Sequence, residues 1–193
     1  MELKSKHVSF IAIIAALGNV LSFISINTVP IMPNFPGTNI SMAFDLSHVA
    51  TFIASLYGGP IVGGLAGLVG GAVAAFEFGF SKGNMIAGIG LPIGKALTGV
   101  VAGLLFKKLD ITANKIYGPV VTVTSYIPEG IFTYFLFVYL YPIFVGLPVE
   151  IATTIAVSIL TKATLEMIAI GIILMGLVSN QGFRRYLKNY FTE

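Results

Sequence analysis

The sequence predicts an all-α membrane protein with six transmembrane helices, both termini in the cytoplasm and a cup that opens outward. Hydrophobic residues make up 56% of the 193 residues, and charged residues only 10%. The apolar residues form long runs, unlike the alternating stripes of a soluble protein. Ionisable residues within or beside these runs are costly in a bilayer, so they indicate function. They are Asp45, Glu77, Lys95, Glu129, Glu150, Lys162 and Glu166.

The length of the chain suits about six helices of roughly 20 residues each, with little left for a soluble domain. We therefore expect one membrane domain over residues 1–193. The first apolar run follows Lys4 and Lys6 as in a signal peptide, but its length predicts a retained helix. The six predicted helices cover residues 8–26, 45–57, 60–78, 85–106, 117–140 and 151–178.

The basic residues predict the orientation of these helices. An even number of spans puts both termini on one side of the membrane, and the positive-inside rule makes that side cytoplasmic. Only Lys82 falls on the other side. This distribution explains the net charge of +3 without nucleic acid as a partner. The cytoplasmic set is Lys4, Lys6, Lys107, Lys108, Lys115, Arg184, Arg185 and Lys188.

Two connections have distinct compositions. The longest predicted connection, residues 27–44, lies outside and contains Pro30, Pro33, Pro36 and Gly37. It either caps a cavity or serves only as a connector. The turn at residues 57–60, Tyr-Gly-Gly-Pro, reverses the chain within a few residues and makes predicted helices 2 and 3 antiparallel neighbours.

Glycines at helical spacing predict close helix packing. Predicted helix 3 and the turn before it place small residues four apart, and predicted helix 4 has two pairs of glycines with the same spacing, so another helix can approach each face. We expect packing within the monomer, with dimerisation as the alternative. The two sets are Gly59, Gly63, Gly67, Gly71 and Ala75, and Gly90, Gly94, Gly99 and Gly103.

The predicted helices place several charged residues at depths where they would line the cup. Asp45 and Glu77 lie at the outer surface, Lys95 in the outer half, and Glu129 and Lys162 near the midplane. A stripe at intervals of four on predicted helix 6 should face away from lipid. Its members are Thr154, Ser158, Lys162 and Glu166. The candidate substrate-binding residues are Lys162, Glu129, Lys95, Tyr126, Asn84, Ser158 and Asp45.

The competing interpretation is mutual neutralisation of these charges. Lys162 would then pair with Glu166, and Lys95 with Glu77 or Glu129. Asp45 would cap predicted helix 2 from its N-terminus. His48 is expected to be a packing residue with satisfied hydrogen bonds, in preference to a metal ligand.

Motifs for catalysis, metals and cofactors are missing from the sequence. The chain has no cysteine and only two histidines, His7 and His48, so a zinc motif of the His-Glu-x-x-His type cannot form. An intramembrane aspartyl protease needs two aspartates, and Asp45 is the only candidate. Neither a Gly-x-Ser-x-Gly elbow nor a Walker-type phosphate loop occurs. We predict no enzyme activity, cofactor, metal or ATP hydrolysis.

The chain resembles the substrate-binding S components of energy-coupling-factor (ECF) vitamin transporters, most closely the riboflavin-type branch. The similarity lies in the acidic start of predicted helix 2, residues 44–50, and in the Gly-Pro turn at residues 56–60 followed by Gly63. Ala12 and Ala16 match the Ala-x-x-x-Ala motif by which the family's first helix docks on its coupling subunit.

The resemblance implies a multi-pass protein of a prokaryotic cell membrane that captures a vitamin outside. A membrane coupling subunit and two cytoplasmic ATPases would drive uptake. The family holds its substrate among helices 4, 5 and 6 beneath the first outer loop, and the S component topples to release it. Thr161 and Lys162 resemble a region that contacts riboflavin, and residues 82–84 match a polar segment before helix 4.

The aromatic and charge composition narrows the choice of vitamin. The thiamine branch stacks its ligand on tryptophan, and this chain has none, which disfavours thiamine. The buried charges are biased toward acid, so a strongly anionic ligand would depend on Lys95 and Lys162. Stacking residues are expected among Phe76, Phe78, Tyr126, Phe132, Tyr134 and Tyr139.

Two other functions stay open from the residues. The first is a proton- or cation-coupled secondary transporter, in which Glu129 and Glu166 would carry the coupling ion. The second is a structural membrane subunit whose glycine faces pack against a partner and whose charges only pair with one another.

Overall fold

A computed structural model describes residues 5–28, 30–32, 42–109, 111, 114 and 116–192 of the chain. The eight α-helices of this part are α1 Ser5–Thr28, α2 Ser47–Gly70, α3 Ala72–Phe78, α4 Met85–Phe106, α5 Tyr117–Phe135, α6 Tyr141–Val145, α7 Val149–Ser179 and α8 Gln181–Thr192. A 3-10 turn covers Phe80–Lys82, and a π-helical segment, Leu136–Leu140, joins α5 to α6. These helices confirm the α-helical class that the sequence predicts.

Helix α2 folds back on itself at Gly59, whose φ of 80° and ψ of −172° break the helix before Pro60. The two halves then run side by side. A Cβ added at Gly63 would lie 2.1 Å from Oγ of Ser55, and one at Gly67 would lie 3.2 Å from a methyl carbon of Thr51. The reversal predicted at residues 57–60 is confirmed.

Five helical stretches of the described residues are long and apolar enough to cross a membrane, with residues 47–82 counted as one stretch. The reversal at Gly59 divides that stretch into two arms. The first arm, residues 47–58, spans only about 18 Å at about 1.5 Å per residue, against a hydrocarbon core of about 30 Å. The count of six spans and their orientation stay predictions.

The glycines of α2 and α4 pack against each other within the chain, as the spacing predicts. A Cβ at Gly63 would lie 2.7 Å from the carbonyl oxygen of Gly99, and a Cβ at Gly99 would lie 2.3 Å from that of Gly63. Further along, a Cβ at Gly67 would lie 2.5 Å from the carbonyl oxygen of Lys95. Since these neighbours are backbone atoms, only glycine lets the two helices come this close.

Helix α1 covers the hairpin of α2 with one face and leaves the other exposed. Gly18 approaches Ala50 and Gly70, which lie on opposite arms of the hairpin. Ala12 and Ala16 lie on the outward face, beside exposed apolar side chains. The exposed face is therefore free for lipid or for a protein partner.

Helix α5 packs against α7, where Thr122 donates a hydrogen bond of 2.7 Å to the carbonyl oxygen of Met167. At the far end, the N–H of Tyr141 bonds to the carbonyl oxygen of Leu136, five residues back, which closes the π-helical turn. Predicted helix 5, which ends at residue 140, thus continues through this wider turn into α6.

Helix α8 is amphipathic and was not predicted from the sequence. Its Phe183 ring meets Tyr57 beside the α2 turn at 6.2 Å, and its Tyr190 ring meets Phe10 of α1 at 5.8 Å. Leu187 between them is buried. Helix α8 therefore closes the end of the bundle that carries the Gly59 turn.

The segment before α2 contains two short antiparallel strands, β1 Pro30–Met32 and β2 Met42–Ala43, with Pro30 opposite Ala43. This small sheet is an addition to the predicted all-α class. Of the loop residues singled out in the sequence, Pro33, Pro36 and Gly37 lie outside the described residues. The strands stand at the end of the bundle opposite α8, and β2 leads directly to Asp45 and α2.

Candidate binding site

A cavity opens at the β-strand end of the bundle, between α2, α4, α5 and α7. It measures about 960 Å³ when the open space at its mouth is included. Pockets that bind small molecules combine apolar walls with a few placed polar groups. The apolar part of the wall includes Ala74, Ala87, Leu91, Leu136, Ile159 and Met167, and the ionisable part is Asp45, His48, Lys95, Glu129, Lys162 and Glu166.

Lys95 and Asp45 form the first of three charged contacts in this wall. The Lys95 ammonium lies 2.6 Å from Oδ2 of Asp45 and also donates to Oγ of Ser47. The expected pairing of Lys95 with Glu77 or Glu129 is therefore wrong, because the segment before α2 brings Asp45 over α4. Burial opposes the ionisation of Asp45, but the Lys95 ammonium outweighs it and holds the pKa of Asp45 well below its usual value.

Asp45 also makes a hydrogen bond to the N-terminal end of α2. Its Oδ1 accepts a hydrogen bond of 2.9 Å from the backbone N–H of Ser47, the first residue of α2. Leu46 occupies the position just before the helix, and its side chain makes no cap. Asp45 thus satisfies one free N–H at the helix start while its other oxygen binds Lys95.

Lys162 and Glu166 form the second contact, with 2.9 Å between Nζ and Oε1. This pair within one helix is the predicted one. Lys162 also donates a hydrogen bond of 2.6 Å to the carbonyl oxygen of Ala43, and Glu166 accepts one of 2.9 Å from the backbone N–H of Asp45. The pair therefore ties α7 to the segment that joins β2 to α2.

Glu129 is the centre of the third contact. Its Oε2 accepts a hydrogen bond of 2.5 Å from the Thr98 hydroxyl and lies 3.2 Å from Nε2 of His48. Gly94 leaves room for this side chain, since a Cβ there would lie 3.0 Å from Cγ of Glu129. His48 is buried as expected, but its Nδ1 has no hydrogen-bond partner among the described residues, so its hydrogen bonds are only partly satisfied.

Aromatic side chains form the wall beside α5 and the π-helical segment. Phe137 and Tyr141 stack with their ring centres 4.3 Å apart, and Tyr126 lines the cavity with only 7% of its surface exposed. The Tyr141 hydroxyl accepts a hydrogen bond of 2.5 Å from Nδ2 of Asn84. The Asn84 Oδ1 accepts one from the N–H of Ala87, so Asn84 caps α4 and orients Tyr141 at once.

The predicted binding residues fall into three groups. Those that line the cavity are Lys162, Glu129, Lys95, Tyr126 and Asp45. Asn84 reaches the wall through Tyr141. Ser158 lies outside the lining, where its hydroxyl donates to the carbonyl oxygen of Thr154 at 2.8 Å, and its contact with a ligand stays a prediction.

The polar stripe predicted on α7 is interrupted. Lys162 and Glu166 face the cavity, but Thr154 is exposed and bonds to the carbonyl oxygen of Glu150. A hydroxyl that bonds to its own helix in this way is tolerated on a lipid-facing surface. The spacing alone therefore overstated how far the polar face extends.

Several lining residues were not predicted, namely His48 as a contact of Glu129, Thr133, Phe137 and Tyr141. Thr98, which lies outside the lining and donates a hydrogen bond to Glu129, was not predicted either. The signal was present as an unbroken series at intervals of four from Glu129 through Thr133 and Phe137 to Tyr141. Of the expected stacking residues, Phe78 and Tyr126 line the cavity. Phe76, Tyr134 and Tyr139 are exposed on the outer surface.

The described residues contain no group of three His, Asp or Glu side chains placed to hold a metal ion. The cavity instead offers an apolar and aromatic interior with hydrogen-bonding groups in three fixed clusters. Such an arrangement suits reversible binding of a flat organic molecule with polar edges.

Comparison with known proteins identifies the family. No curated protein matches the chain. The sequence model of the family described as ECF-type riboflavin transporter, S component, matches residues 2–181, which is nearly the whole chain. Members of this family are substrate-binding subunits of a transporter and carry out no catalysis. The chain therefore belongs to the riboflavin transporter S components of the ECF type.

Proposed function

We propose that this chain captures riboflavin, or a closely related small molecule, in the cavity between α2, α4, α5 and α7, for uptake into a prokaryotic cell. The observation that carries the proposal is the cavity itself, which sets an aromatic wall against three hydrogen-bonded charge clusters. Riboflavin combines a flat, largely apolar ring system with polar ring edges and a hydroxylated chain. Its ring matches the aromatic wall, and its oxygens match the clustered donors.

Lys162 has the leading role in this proposal. Its side chain is 17% exposed, whereas those of its partner Glu166 and of Lys95 are 4% and 2% exposed. Lys162 is thus the more accessible ammonium of the cavity, and we assign it a hydrogen bond to a ligand oxygen. Tyr126 and Glu129 would contact the ligand from α5, and Asn84 would hold Tyr141 in place for stacking.

A binding experiment with purified protein tests the proposal. Titration with riboflavin, followed by its fluorescence, should give saturable binding, and native mass spectrometry should find one ligand per chain. Lys162→Gln should weaken binding by about tenfold or more, since a hydrogen bond to a charged group contributes roughly 1.5–3 kcal/mol. Lys108→Gln removes an exposed lysine after α4, outside the cavity lining, and should leave the affinity unchanged. Absence of saturable binding would contradict the proposal.

The partners follow from the same proposal. We infer that the chain works with a membrane coupling subunit and two cytoplasmic ATPases, which supply the energy of uptake. Helix α1 supports this through its exposed apolar face with Ala12 and Ala16. Liposomes that contain all four chains should accumulate riboflavin only with internal ATP. Accumulation by this chain alone under a proton gradient would instead favour a secondary transporter.

Glu129 and Glu166 would carry the coupling ion of a secondary transporter. Their contacts favour a binding subunit over that alternative. Glu166 is engaged by Lys162 and by the backbone N–H of Asp45, and Glu129 by Thr98 and His48. A carboxylate that takes up and releases a proton in each cycle would have to break these contacts each time. In the structure, Glu166 joins α7 to the segment before α2, and Glu129 joins α5 to α4 and α2.

A further inference from the structure

We propose that Asp45 and Glu166 are specificity-determining residues that make the cavity select an uncharged ligand and reject a phosphate monoester of the same ligand. The inference rests on the proposed function, because it concerns how the same cavity discriminates between related molecules. It assigns to the two carboxylates a role in selectivity that is separate from their contribution to stability.

Among the described residues, the charges of the cavity wall leave no cation free for an anionic ligand. Each of the two lysines that line the cavity has its own carboxylate, Asp45 for Lys95 and Glu166 for Lys162. Within the described lining, the remaining charge is that of Glu129, which His48 and Thr98 contact. The wall is therefore close to neutral or slightly negative, whichever form His48 takes.

The hydrogen bonds of the lysines allow a neutral oxygen but do not provide an anion site. An ammonium has three N–H donors. Lys162 uses one for the Ala43 carbonyl oxygen and one for Glu166, and Lys95 uses one for Asp45 and one for Ser47. Among the described contacts, one donor remains on each lysine. A single donor suits a carbonyl or hydroxyl oxygen, whereas a phosphate needs several donors and a compensating charge.

The burial of Glu166 and Lys95 strengthens the preference of the cavity for a neutral ligand over an anionic one. Glu166 and Lys95 are 3% and 2% exposed, so water contributes little to the solvation of a charge beside them. A phosphate that entered the cavity would lose its hydration and would meet the carboxylates of Glu166 and Glu129. Like charges placed side by side in a binding site suppress binding of the wrong partner. The paired carboxylates therefore oppose the anion even though two lysines are close.

The test compares riboflavin with riboflavin 5′-phosphate in equilibrium titrations of the full chain in nanodiscs. The wild type should bind the phosphate at least about tenfold more weakly, as expected for an uncompensated charge. Glu166→Gln leaves Lys162 without its counter-ion and should reduce this ratio by about tenfold. Asp45→Asn should act in the same direction through Lys95. In Glu166→Gln with Lys162→Gln, the discrimination should return.

The control is Glu77→Gln, which removes a half-buried carboxylate outside the cavity lining and should keep the wild-type ratio. Equal affinity of the wild type for both molecules would overturn the inference, whatever the variants do. An unchanged ratio in a folded Glu166→Gln or Asp45→Asn protein that still binds riboflavin would overturn it too. Failure of the wild type to bind riboflavin would instead reject the proposed function.

Discussion

The ammonium of Lys95 lies 2.6 Å from Oδ2 of Asp45 and thereby joins the middle of α4 to the residue that precedes Leu46 and α2. Lys95 is 2% exposed and Asp45 is 8% exposed. Two buried charges are tolerated when each has the other as partner, and either one alone is strongly unfavourable. The pair therefore fixes the position of the segment between β2 and α2 over the cavity.

This coupling predicts a non-additive response to mutation. Asp45→Asn leaves Lys95 buried without its counter-ion and should destabilise the protein by about 3 kcal/mol. Lys95→Met should have a similar effect because it strands Asp45. The double variant removes both charges and should be clearly more stable than the sum of the two single changes predicts. Unfolding of the four proteins in one detergent measures the coupling, and simple additivity would contradict it.

The pKa of Asp45 predicts how stability depends on pH. Burial opposes ionisation, but Lys95 holds the pKa below its usual value, which is about 3.9 in unfolded chains. A carboxyl group with a lowered pKa in the folded state stabilises the protein fully above the unfolded value. That contribution should be lost as the pH falls below about 4. The difference in the free energy of unfolding between the wild type and Asp45→Asn should therefore shrink on acidification. A constant difference down to pH 2 would argue against it.

The helical class, the turn at Gly59 and the glycine packing of α2 against α4 were predictable because each depends on local sequence. Long apolar runs indicate membrane-spanning helices, Gly-Pro favours a turn, and small residues at intervals of four indicate close helix packing. Helix α8 was missed because its apolar positions, such as Phe183 and Leu187, are too few for a span. Its amphipathic pattern of apolar residues at helical spacing is nevertheless visible in the sequence.

The composition of the candidate site was predictable, but the pairing of its charges was less so. Charged residues inside membrane spans are costly and therefore indicate the candidate site. The pairing of Lys162 with Glu166 follows from their spacing of four on one helix. The Lys95 partner depends on how the segment after β2 crosses α4, which is a tertiary property. The orientation of Phe137 and Tyr141 depends on the π-helical turn between Leu136 and Tyr141, and single residues do not specify such a turn.

The contact between Gly63 and Gly99 predicts a sharp difference between two glycine substitutions. In Gly99→Ala the new Cβ would lie 2.3 Å from the carbonyl oxygen of Gly63, so α2 and α4 must separate. Forced separation of a packed interface typically costs about 1–3 kcal/mol. Gly176→Ala on α7 meets nothing within 4 Å and should stabilise the protein by up to about 1 kcal/mol. Thermal unfolding of both variants makes the comparison, and equal effects would disprove the packing argument.

The exposed face of α1 predicts that substitutions there weaken assembly with the coupling subunit but leave ligand binding unchanged. Ala12 and Ala16 are exposed one turn apart, and their small side chains would let a helix of the coupling subunit approach closely. Ala12→Phe with Ala16→Phe should weaken co-purification with the coupling subunit by about tenfold, a loss of roughly 1.4 kcal/mol. The affinity for riboflavin should not change, because the cavity lies on the other side of α2. Ala72→Phe, an exposed alanine at the start of α3, provides the matched control for added bulk. Full assembly of the α1 double variant would show that the coupling subunit binds elsewhere.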